Sequence, residues 1–286
     1  MTTPATTNPA PATIAIRRDG PVLHLTLNRP EVRNAMSLQM VYELRQALVD
    51  AQDDGGVRVI VLRGAGGHFC SGGDLRDMAA ARATPAAGGG DGDGDGDGDG
   101  DGDDPIARIS AAFGALCVAY AATGIATVAL VEGTVMGGGF GLACVADVTM
   151  AGDNAVFRLP ETSLGVVPAQ IAPFLVERLG YSEARRLAVT GGTLDARKAL
   201  DLGLVHEVHP AGALDHALAK LLADILRCAP QAVAATKSLM AKARFSAPGA
   251  LVDEAAAVFS NAVRSAEGVE GTTAFLAKRP PTWAPK

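Results

Sequence analysis

Three consecutive glycines, Gly137 to Gly139, separate a strand-like stretch from an apolar helical stretch and constrain the fold more than any other feature. Residues 126–133 before them are predicted as a strand, and residues 140–147 after them as a helix. Glycines at the N-terminus of a buried helix leave backbone N–H groups facing a ligand with no side chain in the way. These N–H groups, with the helix dipole, suit an oxygen that gains negative charge during a reaction.

A second glycine-rich segment also follows a predicted strand. Residues 69–74 read Phe-Cys-Ser-Gly-Gly-Asp and come after the apolar, β-branched stretch 57–63. Two glycine-rich strand ends would together supply two N–H donors to one oxyanion.

The remaining pattern predicts an α/β protein followed by an all-helical tail. Strands are predicted at residues 13–17 and 22–27, and Ser37 is a suitable N-cap for a helix that ends at Gly55. Strand, helix and strand then repeat, which favours α/β architecture. The face of the first helix is formed by apolar residues at helical spacing: Met40, Val41, Leu44, Ala47, Leu48 and Ala51. Later helices are predicted at 105–120, 182–189, 195–202, 214–228, 231–243, 251–263 and 268–278.

Composition excludes several classes of partner. The net charge is −6 and there is no long Lys/Arg cluster, so binding to nucleic acid or to an anionic membrane is not expected. The four cysteines and five histidines lack metal-ligand spacing, so no metal site is expected. No run approaches the roughly 20 apolar residues of a membrane span, and the N-terminus lacks the features of a signal peptide. A cytoplasmic protein is therefore expected.

Residues 88–104 are almost entirely Gly and Asp. A glycine chain with repeated like charges buries nothing, so this tract is predicted to be a disordered insertion. Calcium-binding Gly/Asp repeats need an aliphatic position in each unit, and this tract has none. Residues 1–12 are likewise predicted to be disordered.

Six motifs in order make the chain similar to the enoyl-CoA hydratase/isomerase (crotonase) superfamily over residues 13–282. The motifs are Leu27-Asn28-Arg29-Pro30 with Asn34-Ala35-Met36, the run Phe69 to Leu75, Val131-Glu132-Gly133 with the glycine triplet, Pro160-Glu161, Leu202-Gly203-Leu204-Val205, and Thr273-Ala274-Phe275 with Lys278-Arg279. The resemblance implies a spiral of ββα units over residues 13–205 and a helical trimerisation region over 206–286. It also implies a homotrimer or a dimer of trimers.

The resemblance implies roles for the two glycine segments and for one carboxylate. The N–H groups of Gly73 and Gly138 would hold the thioester oxygen of an acyl-CoA substrate as it becomes an enolate. Glu161 would be the acid/base. No separate cofactor is implied, because CoA is part of the substrate.

The chain departs from its family at Gly141. Hydratases of this superfamily commonly carry a second glutamate on the helix after the triplet, and the matching position here is Gly141. The space left by the missing side chain at Gly141 is predicted to accommodate a branch or second carboxylate of the acyl chain. Three functions stay open: an enoyl-CoA hydratase, a double-bond isomerase that uses Glu161 alone, and a catalytically weak acyl-CoA-binding paralogue.

Further candidates follow from the resemblance. Residues 163–165 and 168–173 resemble a bacterial branch that hydrates methylglutaconyl-CoA and isohexenylglutaconyl-CoA, and Arg158 and Gln170 would meet the second carboxylate of such a substrate. Asp74 is expected to orient its loop, His68 to close a turn, and Ser71 lacks the partners of a nucleophile. The other expected substrate-binding residues are Arg29, Val32, Ser71, Gly72, Asp74, Leu75, Met136, Gly137, Phe275 and Lys278.

Overall fold

The computed structural model describes residues 12–83 and 104–285, and it confirms the predicted mixed α/β architecture. A large sheet has the strand order β1-β2-β3-β4-β6-β9, and a small sheet has the order β5-β7-β8. In the large sheet β1 is antiparallel to β2 and the other pairs are parallel. The strands are β1 (Ile14–Asp19), β2 (Val22–Leu27), β3 (Val59–Gly64), β4 (Ala126–Val131), β5 (Thr134–Met136), β6 (Val148–Gly152), β7 (Val156–Arg158), β8 (Thr193–Asp195) and β9 (Glu207–His209).

Ten α-helices lie within the described ranges. They are α1 (Leu38–Asp54), α2 (Leu75–Ala83), α3 (Pro105–Ala122), α4 (Gly138–Val145), α5 (Ala172–Thr190), α6 (Ala196–Asp201), α7 (Leu214–Leu226), α8 (Pro230–Ala243), α9 (Val252–Arg264) and α10 (Ala266–Leu276). The predicted helices are confirmed with shifts of a few residues at their ends. The first half of α5 was not predicted, and it is separated from the second half by Gly180, whose φ of 74° is not helical.

Helix α1 shows why the local sequence predicted its ends and its buried face. The Ser37 hydroxyl accepts a hydrogen bond from the Met40 N–H at 3.2 Å and caps the helix. Gly55, with a φ of 64°, ends it in the left-handed conformation that glycine adopts most easily. All six apolar residues predicted for the inner face are buried.

Strand order places the two glycine-rich segments at one edge of the large sheet. Strands β3 and β4 are adjacent and parallel, with Val61 paired to Val128. Their carboxyl ends therefore point the same way, and the segments that follow them meet. The segment after β3 contains Gly73, and the segment after β4 leads through β5 into α4.

The helical C-terminal region begins later than predicted. The expected boundary at residue 206 precedes β9, which is an edge strand of the large sheet, so the region without strands starts at α7. Helix α7 packs on the sheet through Leu214, Leu218 and Leu226. Arg58 fastens this region to the sheet, since its guanidinium donates to the carbonyl oxygens of Leu226, Cys228 and Trp283 at 2.6–2.7 Å.

Helix α3 is, within the part of the chain described, the one helix long and apolar enough to cross a membrane. The sequence had suggested that no stretch comes close to such a span. The core helix of a soluble protein meets the same criteria of length and composition, and α3 packs against α1 and α4. The predictions for residues 1–12 and 88–104 fall almost wholly outside the described residues. Asp104 is described, and its carboxylate caps α3 by accepting from the Ile106 N–H at 2.9 Å.

Candidate active site

The two glycine-rich segments are joined by backbone hydrogen bonds. The Cys70 N–H donates to Thr134 O at 3.0 Å, and the Met136 N–H donates to Cys70 O at 2.9 Å. The contact is close enough to require glycine, because a β-carbon at Gly139 would lie 2.6 Å from the Cys70 β-carbon. Gly72 and Gly137 also adopt positive φ values of 99° and 50°. Burial raises the pKa of the Cys70 thiol to about 11, so this cysteine packs as a neutral group.

Two N–H groups at this junction have no acceptor among the described residues. The Gly72 carbonyl accepts a hydrogen bond from the Met36 N–H, and the Asp74 N–H donates to the Met36 carbonyl. Because Gly73 lies between these two bonds, its N–H points away from Met36. The Gly137 N–H donates to Arg158 O, but Gly138 is the first residue of α4 and its N–H has no intrahelical acceptor. These are the two donors that the sequence suggested for an oxyanion, and the structure brings their segments together.

Glu161 lies against the same junction. A β-carbon on Gly137 would be only 3.1 Å from Glu161 Oε1, so the carboxylate rests on the backbone of the triplet. Glu161 Oε2 is buried and has no hydrogen-bond partner in residues 12–83 and 104–285. Burial raises the pKa of the Glu161 carboxyl above its ordinary value of 4.5, and a hydrogen bond from its own backbone N–H opposes this. A half-buried carboxylate with a raised pKa and with one buried oxygen that lacks a hydrogen-bond partner is typical of an acid/base group.

The raised pKa makes the stability of the protein depend on pH through Glu161. The folded state favours the protonated carboxyl, so this group stabilises the fold below its unfolded pKa and loses that contribution as pH rises through its folded pKa. We therefore expect the melting temperature of a Glu161→Gln variant to rise relative to that of the wild type as pH increases from 4.5 to about 8. Calorimetry across this range measures the difference between the two proteins. A difference that stays constant or shrinks with pH would show that the Glu161 pKa is not raised.

The loop that carries Glu161 is fixed by its own backbone and by α5. The Val166 N–H donates to Glu161 O at 3.0 Å, and Gly165 closes the turn with a φ of 72°. The Thr162 hydroxyl donates to Ala188 O in α5 at 2.7 Å. These contacts hold the Glu161 loop in place, although Glu161 Oε2 accepts no hydrogen bond from the described residues.

Asp74 orients the Gly73 segment, as the sequence predicted. Its Oδ2 pairs with Arg29 Nη2 at 2.7 Å, and its Oδ1 accepts from the Arg76 N–H at 2.9 Å. Burial works to raise the pKa of Asp74, but the hydrogen bonds from Arg76 and Arg29 outweigh it and the pKa is lowered. Arg29 also donates a hydrogen bond to Ala35 O at 2.6 Å, which holds the loop in place. The same side chain lines a cavity of about 630 Å³ formed by α1, α2 and α3.

Other expected site residues have structural partners or lie apart. The Ser71 hydroxyl donates to the carbonyl of Val32 at 3.0 Å, and His68 Nδ1 accepts from the Thr134 N–H and closes a turn. Met136 is half-buried, whereas Leu75 is exposed. Phe275 is 83% exposed at the end of α10, and Lys278 follows it; α10 packs on α9. A single chain therefore does not bring these last two residues to Glu161.

Arg158 and Gln170 do not converge on a common point. Arg158 is exposed on β7, and its carbonyl rather than its guanidinium reaches the triplet. Gln170 packs against Gly114 of α3, and its Nε2 donates to the Ser110 hydroxyl at 3.1 Å. The amide of Gln170 is therefore already engaged with α3.

The room next to Gly141 is not open to an acyl chain, which corrects the interpretation of that glycine. A β-carbon at Gly141 would lie 2.2 Å from Ile171 Cγ2, and Ile171 is itself buried. The glycine is required because Ile171 packs directly on α4. The sequence analysis missed Ile171 and Phe113 as site residues, although Ile171 lies in the quoted run 168–173. The Phe113 ring covers Gly138, with Cζ 3.2 Å from a β-carbon there.

In the described ranges, no group of three or more His, Cys, Asp or Glu residues could hold a metal ion. The arrangement of Glu161 beside two unpaired N–H donors can perform proton transfer next to an oxyanion.

Known proteins match this chain in sequence and in fold. The model of the enoyl-CoA hydratase/isomerase family matches residues 22–224. A structure from Marinobacter aquaeolei, described as an enoyl-CoA hydratase/isomerase, has a TM-score of 0.87 and 47% identity, covering 96% of this chain and 99% of that chain. The structure of AtuE from Pseudomonas aeruginosa has a TM-score of 0.87 and 50% identity, covering 96% and 100%.

Curated relatives agree with these structures. A carnitinyl-CoA dehydratase from Citrobacter koseri is 31% identical over 277 residues, covering 93% of this chain and 96% of the relative. A 2,3-dehydroadipyl-CoA hydratase from Escherichia coli is 30% identical over 270 residues, covering 94% and 97%. The crotonase-like fold with its helical C-terminal region is thus confirmed. The chain belongs to the enoyl-CoA hydratase/isomerase family and is an enzyme of the hydratase type.

Proposed function

We propose that the protein adds water to the double bond of an α,β-unsaturated acyl-CoA, with Glu161 as the acid/base and an enolate held by Gly73 and Gly138. The observation that carries the proposal is the Glu161 carboxylate, whose buried Oε2 has no partner in the described part of the chain. It rests on the triplet whose first helical N–H is unpaired. A group kept unpaired at such a cost in desolvation is available for substrate and water.

The proposed reaction uses one carboxylate twice. Glu161 takes a proton from water while the water oxygen bonds to the β-carbon, and the electrons of the double bond move to form the enolate. The Gly73 and Gly138 N–H groups stabilise the negative oxygen. The protonated Glu161 then gives its proton to the α-carbon, the thioester carbonyl re-forms, and the carboxylate is ionised again. One water has been added and the protein is unchanged.

A double-bond isomerase is the second candidate, because Glu161 alone could also move a proton from one carbon of the acyl chain to another. It is favoured by the same geometry, since Ile171 occupies the room that a second carboxylate on α4 would need. Hydration changes the mass of the ester by one water, and isomerisation leaves it unchanged.

The acyl group that we propose is a branched glutaconyl-type chain, which carries a second carboxylate. Residues 163–165 and 168–173 support this through their resemblance to hydratases of such esters. The name of the Escherichia coli relative also gives a dicarboxylic acyl group. Arg158 is the cation nearest in sequence to Glu161, and its exposed side chain is the candidate partner of that carboxylate.

A panel of CoA esters followed by mass spectrometry tests the proposed reaction and substrate together. We expect 3-methylglutaconyl-CoA to gain one water with a higher kcat/KM than crotonyl-CoA. An Arg158→Gln variant should lose much of this preference while its rate with crotonyl-CoA changes little. Crotonyl-CoA hydrated at least as fast as the diacid ester would contradict the substrate, and double-bond migration without a mass change would support the isomerase.

We also propose that the protein works as a homotrimer or a dimer of trimers. Helices α8–α10 and the segment after α8 expose large apolar side chains, which a second copy of the chain would cover. In such an assembly Phe275 and Lys278 would reach the CoA of a neighbouring subunit, beside Arg29 and Val32. The exposed residues are Met240, Phe245, Phe259, Phe275 and Leu276.

A further inference from the structure

Helix α4 has a glycine face that two apolar side chains cover. Gly138 and Gly141 are three residues apart and lie on the same side of the helix. Phe113 Cζ lies 3.2 Å from a β-carbon built on Gly138 and 3.7 Å from one built on Gly141. Ile171 Cγ2 and Cβ lie 2.2 Å and 3.1 Å from the β-carbon at Gly141. Any side chain at position 141 would therefore overlap Ile171.

Ile171 is fixed in this position by its neighbours. Gln170 packs on α3 at Gly114, where a β-carbon would lie 2.1 Å from Gln170 Oε1. The Gln170 amide also donates to Ser110. On the other side, Ile171 O accepts from the Leu175 N–H at 2.9 Å in the first turn of α5. The side chains of the consecutive residues Gln170 and Ile171 therefore pack on two glycines, Gly114 and Gly141.

The position that Ile171 closes is one helical turn from the catalytic carboxylate. Glu161 Oε1 rests on Gly137, and Gly141 is four residues further along the chain. Gly137 is the N-cap residue of α4, and its carbonyl accepts from the Gly141 N–H at 3.1 Å across the first turn. A carboxylate on residue 141 would therefore stand close enough to Glu161 to share water and substrate with it.

We propose that Ile171 is the residue that restricts this site to a single carboxylate. Its side chain takes the room that a side chain at position 141 would need, and with Phe113 it covers the glycine face of α4. The inference rests on the proposed reaction in so far as Glu161 is its acid/base. Because position 141 then carries no acid, the proton transfers in this site are made by Glu161 and by the substrate itself.

The packing half of the proposal is tested by a double-mutant cycle on melting temperature. Gly141→Ala should lower the melting temperature by on the order of 5 °C, because the added methyl group overlaps Ile171. The same change should cost much less in an Ile171→Gly background, where the overlapping atoms are gone. Ile171→Val keeps the γ-carbon and is the matched control, so in that background the full loss should remain. Equal losses in all three backgrounds would overturn the proposal.

The functional half is tested by introducing the carboxylate that Ile171 excludes. In an Ile171→Gly background, Gly141→Glu places a second acid beside Glu161, and like charges raise the pKa of a neighbouring carboxyl. We expect the acid limb of the pH profile of kcat/KM to move up by about one unit. Gly141→Gln in the same background has the same size without the charge and should not move it.

The same shift can be measured without turnover, which separates this proposal from the proposed reaction. The pH dependence of the melting temperature reports the coupled carboxyl groups whether or not the ester is hydrated. A shift in the melting profile without hydration would reject the reaction and uphold the role of Ile171. No shift in either profile would overturn that role, because the two carboxylates would then not share a site.

Discussion

A Glu161→Gln variant should lose roughly 10²–10⁴-fold in kcat for hydration, the range that a general acid/base contributes. Glutamine keeps the size of the side chain but cannot take a proton from water at neutral pH. No other described carboxylate replaces it: Asp74 is paired with Arg29, and position 141 carries no side chain. The binding of a saturated acyl-CoA should change little, because the amide leaves the pocket its shape. Steady-state kinetics and isothermal titration with butyryl-CoA measure the two quantities.

The control for this variant is an exposed carboxylate far from the triplet. Asp19, which ends β1 beside the start of β2 and so lies at the opposite end of the strands from the triplet, pairs with Arg17 at the surface, and Asp19→Asn should leave both kcat and binding unchanged. If Glu161→Gln kept activity within a few fold of the wild type, another group would have to move the proton. A fall in binding equal to the fall in kcat/KM would instead indicate that the side chain holds the substrate.

The sequence predicted the parts of the molecule that depend on neighbouring residues. The N-cap Ser37, the C-cap Gly55 and the buried face of α1 follow from local preference and from periodicity. The two glycine-rich segments were found because such a segment after a strand has few structural uses, and the resemblance to the crotonase superfamily then singled out Gly73 and Gly138 within them. These observations need no contact that is distant in the chain, whereas the pairing of β3 with β4, which brings the two segments together, is seen in the structure.

What the sequence could not show was which side chains fill the space around these segments. Gly141 suggested an open position, but Ile171, thirty residues later, fills it. Gln170 suggested a ligand for a carboxylate, but it packs on Gly114. A glycine indicates that something approaches closely, and only the tertiary structure shows whether that is a ligand, the backbone or another side chain. The start of the helical region was misplaced for a similar reason, because the short strand β9 owes its existence to pairing with β6.

A Gly138→Pro variant should lose roughly 10²–10³-fold in kcat, the typical cost of removing one oxyanion donor. Proline lacks the N–H group, and at the first position of a helix it removes no intrahelical hydrogen bond. Gly138 occupies that position in α4, so the helix should survive the change. Gly138→Ala is the matched control, because it brings a β-carbon to the same 3.2 Å contact with Phe113 and keeps the N–H.

The comparison of these two variants isolates the donor from the packing. Both should lose some thermal stability through the contact with Phe113, but the large loss of kcat should belong to proline alone. Gly73→Ala adds a further check, since a β-carbon there would meet only Met78 Cε at 3.9 Å and the N–H remains. We expect that variant to be nearly as active as the wild type. Equal losses of kcat for alanine and proline at position 138 would mean that the glycine is needed for its shape, and that the enolate oxygen is held elsewhere.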